Sequence, residues 1–210
     1  MSRGRFITLE GGEGAGKSTL AAGLAAALAA RGIDVLATRE PGGTPLAERV
    51  RAVVIERGEE QIDLTAETLL MFAARSIHLV NRVRPALDAG RWVLCDRFTD
   101  ATYAYQGAGR GVPVPLIDTL ATAVQQGLWP DRTLLLDLPV EAGVARARRR
   151  GGETDRFESE RGAFFTRVRD EYLRRARSEP QRFCVLDAAL PPEQLLQAAL
   201  MALADWLPDA

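Results

Sequence analysis

Apolar positions along this chain follow two rhythms. Short runs of apolar, often β-branched residues recur at residues 6–9, 35–38, 92–95, 133–138 and 182–186, and such runs, bounded by charge, glycine or proline, mark buried strands. Between them lie longer stretches whose apolar positions are spaced for helices. Strand and helix in alternation predict an α/β fold: a five-stranded parallel sheet flanked by helices on both faces, with right-handed crossovers. Ligands of such sheets gather beyond the carboxyl ends of the strands. Four polar segments follow those ends: a glycine loop, Arg39-Glu40-Pro41-Gly42-Gly43, Asp96-Arg97 and Asp187. They are expected to rim one crevice.

The helical stretches differ in what they must bury. Residues 18–30 are nearly all Ala and Leu, strong helix formers, and Arg31-Gly32 closes them with a cation and a glycine. Residues 63–89 read as one long helix, kinked near Pro85. Within it Leu69-Leu70-Met71-Phe72 is apolar on every side, so two faces need covering, one of them by a second subunit. Residues 195–207 are too short an apolar stretch to span a bilayer and read as a core-facing terminal helix. No repeat, linker or second domain interrupts residues 1–210, which are expected to form a single domain.

Composition narrows the partners. A net charge of −1 and a pI near 6.0 offer no basic field for nucleic acid. The chain runs directly into its first strand, so neither a leader nor a membrane partner is expected, and a cytoplasmic location is. Cys95 and Cys184 each close an apolar strand-like run and are expected to be buried free thiols. A lone histidine, His78, excludes a His-rich metal site and leaves no Ser/His/Asp set.

One residue changes the picture. Lys17 is the single lysine among 27 basic residues. It sits in Gly11-Gly12-Glu13-Gly14-Ala15-Gly16-Lys17-Ser18, a complete G-x-x-x-x-G-K-[ST] loop between a strand and a helix. There backbone N–H groups and a helix N-terminus wrap phosphates, and a compact ammonium reaches where a forked guanidinium does not fit. The loop from Gly11 to Lys17, with Ser18 and Thr19, is the candidate nucleotide site, and Ser18 is placed to ligate Mg²⁺. A GTPase would need an Asn-Lys-x-Asp segment, which a chain with one lysine cannot have. A transporter ATPase would carry its own signature segment, for which the chain is short. Asp96 is placed for Mg²⁺ or the loop, and Arg97 for a bidentate grip on a second phosphate, unless the two form only a structural pair. Arg146-Ala147-Arg148-Arg149-Arg150-Gly151-Gly152, continuing to Arg156, reads as a solvated helix end or as a lid over a transferring phosphoryl group.

These segments together resemble the bacterial thymidylate kinases over nearly the whole chain. The resemblance rests on Glu13 within the glycine run, Thr38-Arg39-Glu40-Pro41-Gly42-Gly43-Thr44 and Phe72-Ala73-Ala74-Arg75. Asp96-Arg97-Phe98, Ala104-Tyr105-Gln106-Gly107, the arginine-rich lid at about residues 146–157 and Asp187-Ala188 complete it. It implies the P-loop nucleoside monophosphate kinase fold, a homodimer, and transfer of the γ-phosphoryl of ATP to dTMP with Mg²⁺. It further implies that Arg97, helped by Arg39, holds the dTMP phosphate. Glu13 would face the deoxyribose 3′-hydroxyl, and Tyr105 the edge where a ribose carries its 2′-hydroxyl. Arg75 would donate to a thymine carbonyl, with Thr102 and Gln106 near the base and Phe72 stacking on it. Many members place that phenylalanine four residues before the arginine. Here Phe72 is three before, and Met71 holds the four-residue position. Lys17, Glu13, Arg97 and a lid arginine, Arg150 with Arg149 or Arg156 as alternatives, would form the catalytic set. The rival readings are a kinase for another monophosphate and a nucleotide-sensing ATPase module without a second phosphate clamp.

Overall fold

The computed structural model describes residues 3–55, 60–150 and 162–208. Five strands, β1 (Phe6–Gly11), β2 (Val35–Arg39), β3 (Trp92–Asp96), β4 (Arg132–Asp137) and β5 (Phe183–Asp187), form one parallel sheet in the order β2-β3-β1-β4-β5. The expected sheet is therefore present, with the glycine-loop strand at its centre. Four strands run beyond their apolar runs, to Gly11, Arg39, Asp96 and Asp187. Pairing is a backbone property, so Arg39 still pairs Asp96 and Asp137 still pairs Asp187, although their side chains favour water.

Alternation along the strands builds two cores. Ile7, Leu9, Leu94, Leu134, Leu136 and Leu186 face Leu20, Leu24 and Leu28 of α1 (Lys17–Ala29) and Leu195, Ala199 and Leu200 of α9 (Pro192–Met201). On the other face Phe6, Val93 and Cys95 meet Leu79, Val83 and Leu87. Leu135 and Phe183 there meet Phe165, Val168 and Tyr172 of α8 (Gly162–Ser178). Each fully buried large side chain contributes about 1.5–3 kcal/mol. Three polar residues, Thr8, Glu10 and Thr133, also point into this second face and are fully buried. Thr8 and Thr133 share a hydroxyl bond of 2.9 Å, and Arg182 reaches both Thr133 and Asp100, at 2.8 and 2.7 Å. Burial alone would raise the Asp100 carboxyl, but Arg182 and Arg175 outweigh it and hold Asp100 below its ordinary value.

The helices depart from expectation in three places. The long helix is α3 (Leu64–His78), capped by Asp63 accepting the Ala66 N–H at 2.6 Å, then a π segment (Leu79–Val83), then α4 (Arg84–Asp88). Pro85 cannot donate to the Asn81 carbonyl, and the hydrogen-bond ladder shifts in the turn before it. A second π segment (Tyr103–Gly109) follows α5 (Thr99–Thr102), and α6 (Val114–Gln125) and α7 (Val140–Arg150) complete that side. The last helix starts at Pro192, where proline suits the first turn, and ends at Met201, ahead of the predicted 207. A short 3₁₀ turn (Ala204–Trp206) follows, with Leu203 tucked into the core. Both cysteines are free, but Cys184 is half-buried and lies inside β5 rather than closing an apolar run.

Candidate active site

The glycine loop owes its shape to two close approaches. Gly14 adopts φ +70°, and a Cβ there would lie 2.1 Å from the Gly143 carbonyl oxygen of α7. A Cβ on Gly143 would in turn lie 2.5 Å from the Glu13 carbonyl oxygen. Only glycine at both positions lets loop and helix touch by backbone. Within the loop Lys17 is buried, its Nζ donating to the carbonyls of Gly11 and Gly12 at 3.0 and 2.8 Å. Burial pushes this ammonium down to about 8, and the Arg97 charge pushes the same way. Such a group gains strongly from phosphate charge. Ser18 Oγ donates to Asp96 Oδ2 at 3.0 Å, bringing together the two residues expected at a metal ion.

Arg97 stands in the turn after β3 with φ +70°. Two bonds hold that left-handed backbone: Arg97 N–H to the Leu9 carbonyl at 2.9 Å, and Phe98 N–H to Glu10 Oε1 at 2.7 Å. Glu10 is completely buried and also accepts the Tyr172 hydroxyl at 2.7 Å. So held, the Arg97 guanidinium meets Glu13 Oε1 at 2.5 Å and the Gly11 carbonyl at 3.2 Å, and lies 4.7 Å from the Tyr105 ring centre. The Tyr105 hydroxyl donates to the same Glu13 oxygen at 3.1 Å. Burial disfavours the Arg97 charge, but Tyr105 and Glu13 more than compensate, and the group is held well above its ordinary value.

Arg75 anchors a second cluster. Its Nε donates to Glu40 Oε2 at 2.7 Å and its Nη2 to Thr102 Oγ1 at 3.0 Å. Its Nη1, though buried, has no hydrogen-bond partner among the described residues. Gln106 is held by Glu67, its Nε2 donating to Oε1 at 2.9 Å.

One cleft of about 710 Å³ joins these groups. Its floor is the loop from Glu13 through Thr19, and Arg39, Arg75, Asp96, Arg97, Thr102, Tyr105 and Gln106 line it. Arg39 is half-exposed there and paired with Glu48 at 2.7 Å. Three expected residues stand elsewhere. Gly11 and Gly12, which open the loop, line a separate small pocket with Leu136 and Tyr172. Phe72 is packed in a core with Tyr103, Val112 and Ile117, its ring 4.7 Å from the Arg75 guanidinium, and Met71 lines the cleft in its place. A step of about 100° around the helix separates the two side chains. Arg150 closes α7, but its side chain, the rest of the predicted lid to residue 157 and the alternative Arg156 lie outside the described residues.

The cleft also has walls that sequence reasoning did not name. Leu190, Leu195 and Leu196 form an apolar side with Leu20 and Gly23, beside Arg146, the first residue of the predicted lid, which crosses to the Ala188 carbonyl at 2.8 Å. Their position just past β5 was the available signal, but apolar residues there read equally as core. Arg51 lines the cleft from α2 (Pro45–Ile55), donating to the Pro41 carbonyl at 3.1 Å.

The family model described as thymidylate kinase matches residues 9–199. A curated thymidylate kinase of Chromohalobacter salexigens is 58% identical over 98% of this chain and 100% of its own length. One from Pseudomonas entomophila is 60% identical over 90% of this chain and 89% of its own. Among solved structures, the thymidylate kinase of Ehrlichia chaffeensis superposes with a TM-score of 0.80 at 32% identity, covering 96% of this chain and 99% of that one.

Proposed function

The chain belongs to the thymidylate kinase family and phosphorylates dTMP to dTDP at the expense of ATP, and on that premise we propose how its cleft divides the two nucleotides. The glycine loop, Lys17, Ser18 and Thr19 take the ATP phosphates, with the adenine against the apolar side formed by Leu190, Leu195 and Leu196. Arg97 exchanges its bond to Glu13 for the dTMP phosphate, and Arg39 adds charge from the rim. Glu13, so released, meets the deoxyribose 3′-hydroxyl, and the Tyr105 ring closes the edge where a 2′-hydroxyl would project. Thymine lies against Met71, with Phe72 backing Arg75, and Thr102 and Gln106 beside it. The unpartnered Nη1 of Arg75 supports this most directly, because a buried donor without an acceptor costs about 1–3 kcal/mol, and a base carbonyl supplies one.

The chemistry follows from charge. A phosphate oxygen of dTMP, already anionic, attacks the γ-phosphorus and the bond to the bridging oxygen of ADP breaks, so no side chain must remove a proton. What remains is repulsion between anions, which positioned cations offset. Lys17 and Arg97 supply two, and the lid arginine, Arg150 in this reading, a third. Mg²⁺ suits Ser18 and Asp96, an adjacent hydroxyl and carboxylate. These two side chains would supply part of its coordination, the rest being open to phosphate and water, and no group of three or more His, Cys, Asp or Glu side chains stands among the described residues to hold a metal by protein alone. When bound, it supplies charge neutralisation at the outer phosphate oxygens.

Leu64, Leu69 and Val80 stay exposed along α3 and its continuation, Leu69 at 48%, and support a homodimer through this helix. A cytoplasmic location, where both nucleotides are at hand, is part of the same proposal. The test is ADP release from ATP and Mg²⁺ with dTMP, dUMP, UMP, dCMP, AMP and GMP as separate acceptors. Strong preference for dTMP with weaker use of dUMP supports the base-site residues. Equal use of a purine monophosphate overturns them.

A further inference from the structure

Behind Arg75 lies a chain of polar side chains, buried except for the half-buried Thr38, that bond to one another and not to the side chains of phosphate-loop or metal residues. The Glu40 backbone N–H does donate to the Asp96 carbonyl, at 3.0 Å. Glu40 uses both carboxylate oxygens: Oε2 accepts from Arg75 Nε at 2.7 Å, and Oε1 faces His78 Nδ1 at 3.0 Å. His78 is fully buried, and its Nε2 lies 2.7 Å from Thr38 Oγ1. A carboxylate has no proton to give, so Nδ1 carries the N–H, and in the neutral ring Nε2 then accepts from the Thr38 hydroxyl. The four side chains thus form one directed line from the end of β2 to the cleft. A Cβ on Gly43 would fall 2.5 Å from His78 Nε2 and 2.6 Å from Thr38 Oγ1. Glycine at that position leaves the imidazole its place.

We propose that Glu40, His78 and Thr38 are positioning residues that fix the Arg75 guanidinium with Nη1 toward position 4 of the pyrimidine, and so set discrimination between thymine and cytosine. The inference rests on the reading of Arg75 as the base donor. Nε and Nη2 are tied to Glu40 and Thr102, which leaves Nη1 as the one guanidinium nitrogen without a partner among the described residues. Thymine offers that donor a carbonyl at position 4, whereas cytosine presents an amino group, which sets donor against donor. A guanidinium free to rotate would evade this clash. One gripped through Glu40 and His78 does not, and enforcing such a mismatch is what separates close analogues.

Two full-length variants separate positioning from mere packing. His78→Asn carries an amide N–H near the place of Nδ1–H, and His78→Gln carries one near Nε2 and offers none to Glu40. Both remove part of a buried ring, so a purely structural role predicts similar behaviour. The readouts are kcat/KM for dTMP and for dCMP, and KM for ATP. We expect His78→Gln to lower the dTMP-to-dCMP ratio about tenfold, the scale of a lost hydrogen bond to a charged group, with the ATP KM within about twofold. His78→Asn keeps the ratio within about threefold of the parent. Equal ratios in the two variants, whether parental or collapsed, overturn the inference. Should His78→Gln not fold, Thr38→Val and Thr38→Ser carry the test: Val lowers the ratio, Ser restores it, and identical ratios overturn the inference. Arg75→Gln tells the two failures apart. If it leaves the ratio parental, the base-donor reading itself is wrong; if it collapses the ratio while the His78 pair does not differ, only the positioning chain is wrong.

Discussion

Replacing Arg97 by glycine separates what this residue does for the fold from what it does for phosphate. Its backbone is left-handed, φ +70°, which costs a non-glycine residue about 1–2 kcal/mol. Glycine recovers that at an entropic cost of about 0.5–1 kcal/mol, so the backbone change is nearly neutral. The side chain contributes its ion pair with Glu13, where the partners are 18% and 19% exposed. Because Glu13 can be hydrated once released, the loss in stability should be about 1–2 kcal/mol, or roughly 2–8 °C in Tm for a chain of this size. Binding and transfer suffer more. A phosphate left beside Glu13 without the guanidinium loses about 3–5 kcal/mol, a factor of about 10² to 10⁴ in kcat/KM for dTMP. The KM for ATP should hold or improve, because the Arg97 charge is one of the causes depressing Lys17. Coupled ADP-release kinetics with each substrate varied in turn, beside thermal unfolding, give all three numbers. A folded Arg97→Gly enzyme with kcat/KM for dTMP within about threefold of the parent would refute the reasoning.

Lys17→Met should abolish transfer while leaving the chain folded, as read by ADP release and circular dichroism, and measurable turnover sinks the loop assignment. Gly14→Ala drives a Cβ into the Gly143 carbonyl, so a loss of about 2 kcal/mol or more in urea unfolding is expected, and an unchanged midpoint contradicts the packing. Glu10 is pushed up to about 8 by burial first and Asp100 second. A carboxyl raised in this way contributes stability that is full below its ordinary value near 4.5 and is lost as pH rises through about 8. Glu10→Gln removes that titration, so the variant's stability relative to the parent should climb between about pH 4.5 and about pH 8 and level off above. Parallel pH profiles in urea titration would show the carboxyl has no such shift.

Strands and phosphate loop were legible because both follow local rules. An apolar run between polar ends reads as a strand, and the Gly/Lys/Ser spacing carries its own mechanism. Less visible was what tertiary contact decides. Glu40 and His78 lie far apart in sequence and meet only because the turn that follows β2 brings Glu40 against the end of α3. The choice of Met71 over Phe72 as cleft lining is one residue's rotation on a helix, which spacing cannot resolve because positions three and four before Arg75 both neighbour it. The π segment at Tyr103–Gly109 is equally context-driven. A Cβ on Gly109 would meet the Phe164 ring at 2.6 Å, so glycine permits the close approach of α8 that brings Tyr105 beside Arg97. The apolar wall at Leu190, Leu195 and Leu196 shares its residue types with the core and was hidden for that reason.

The most direct test of the account is a crystal structure of the enzyme with dTMP and a non-hydrolysable ATP analogue bound together. The account predicts the Arg97 guanidinium on the dTMP phosphate rather than on Glu13, and Arg75 Nη1 within hydrogen-bond distance of a thymine carbonyl. A dTMP phosphate held elsewhere, with Arg97 still paired to Glu13, would contradict it.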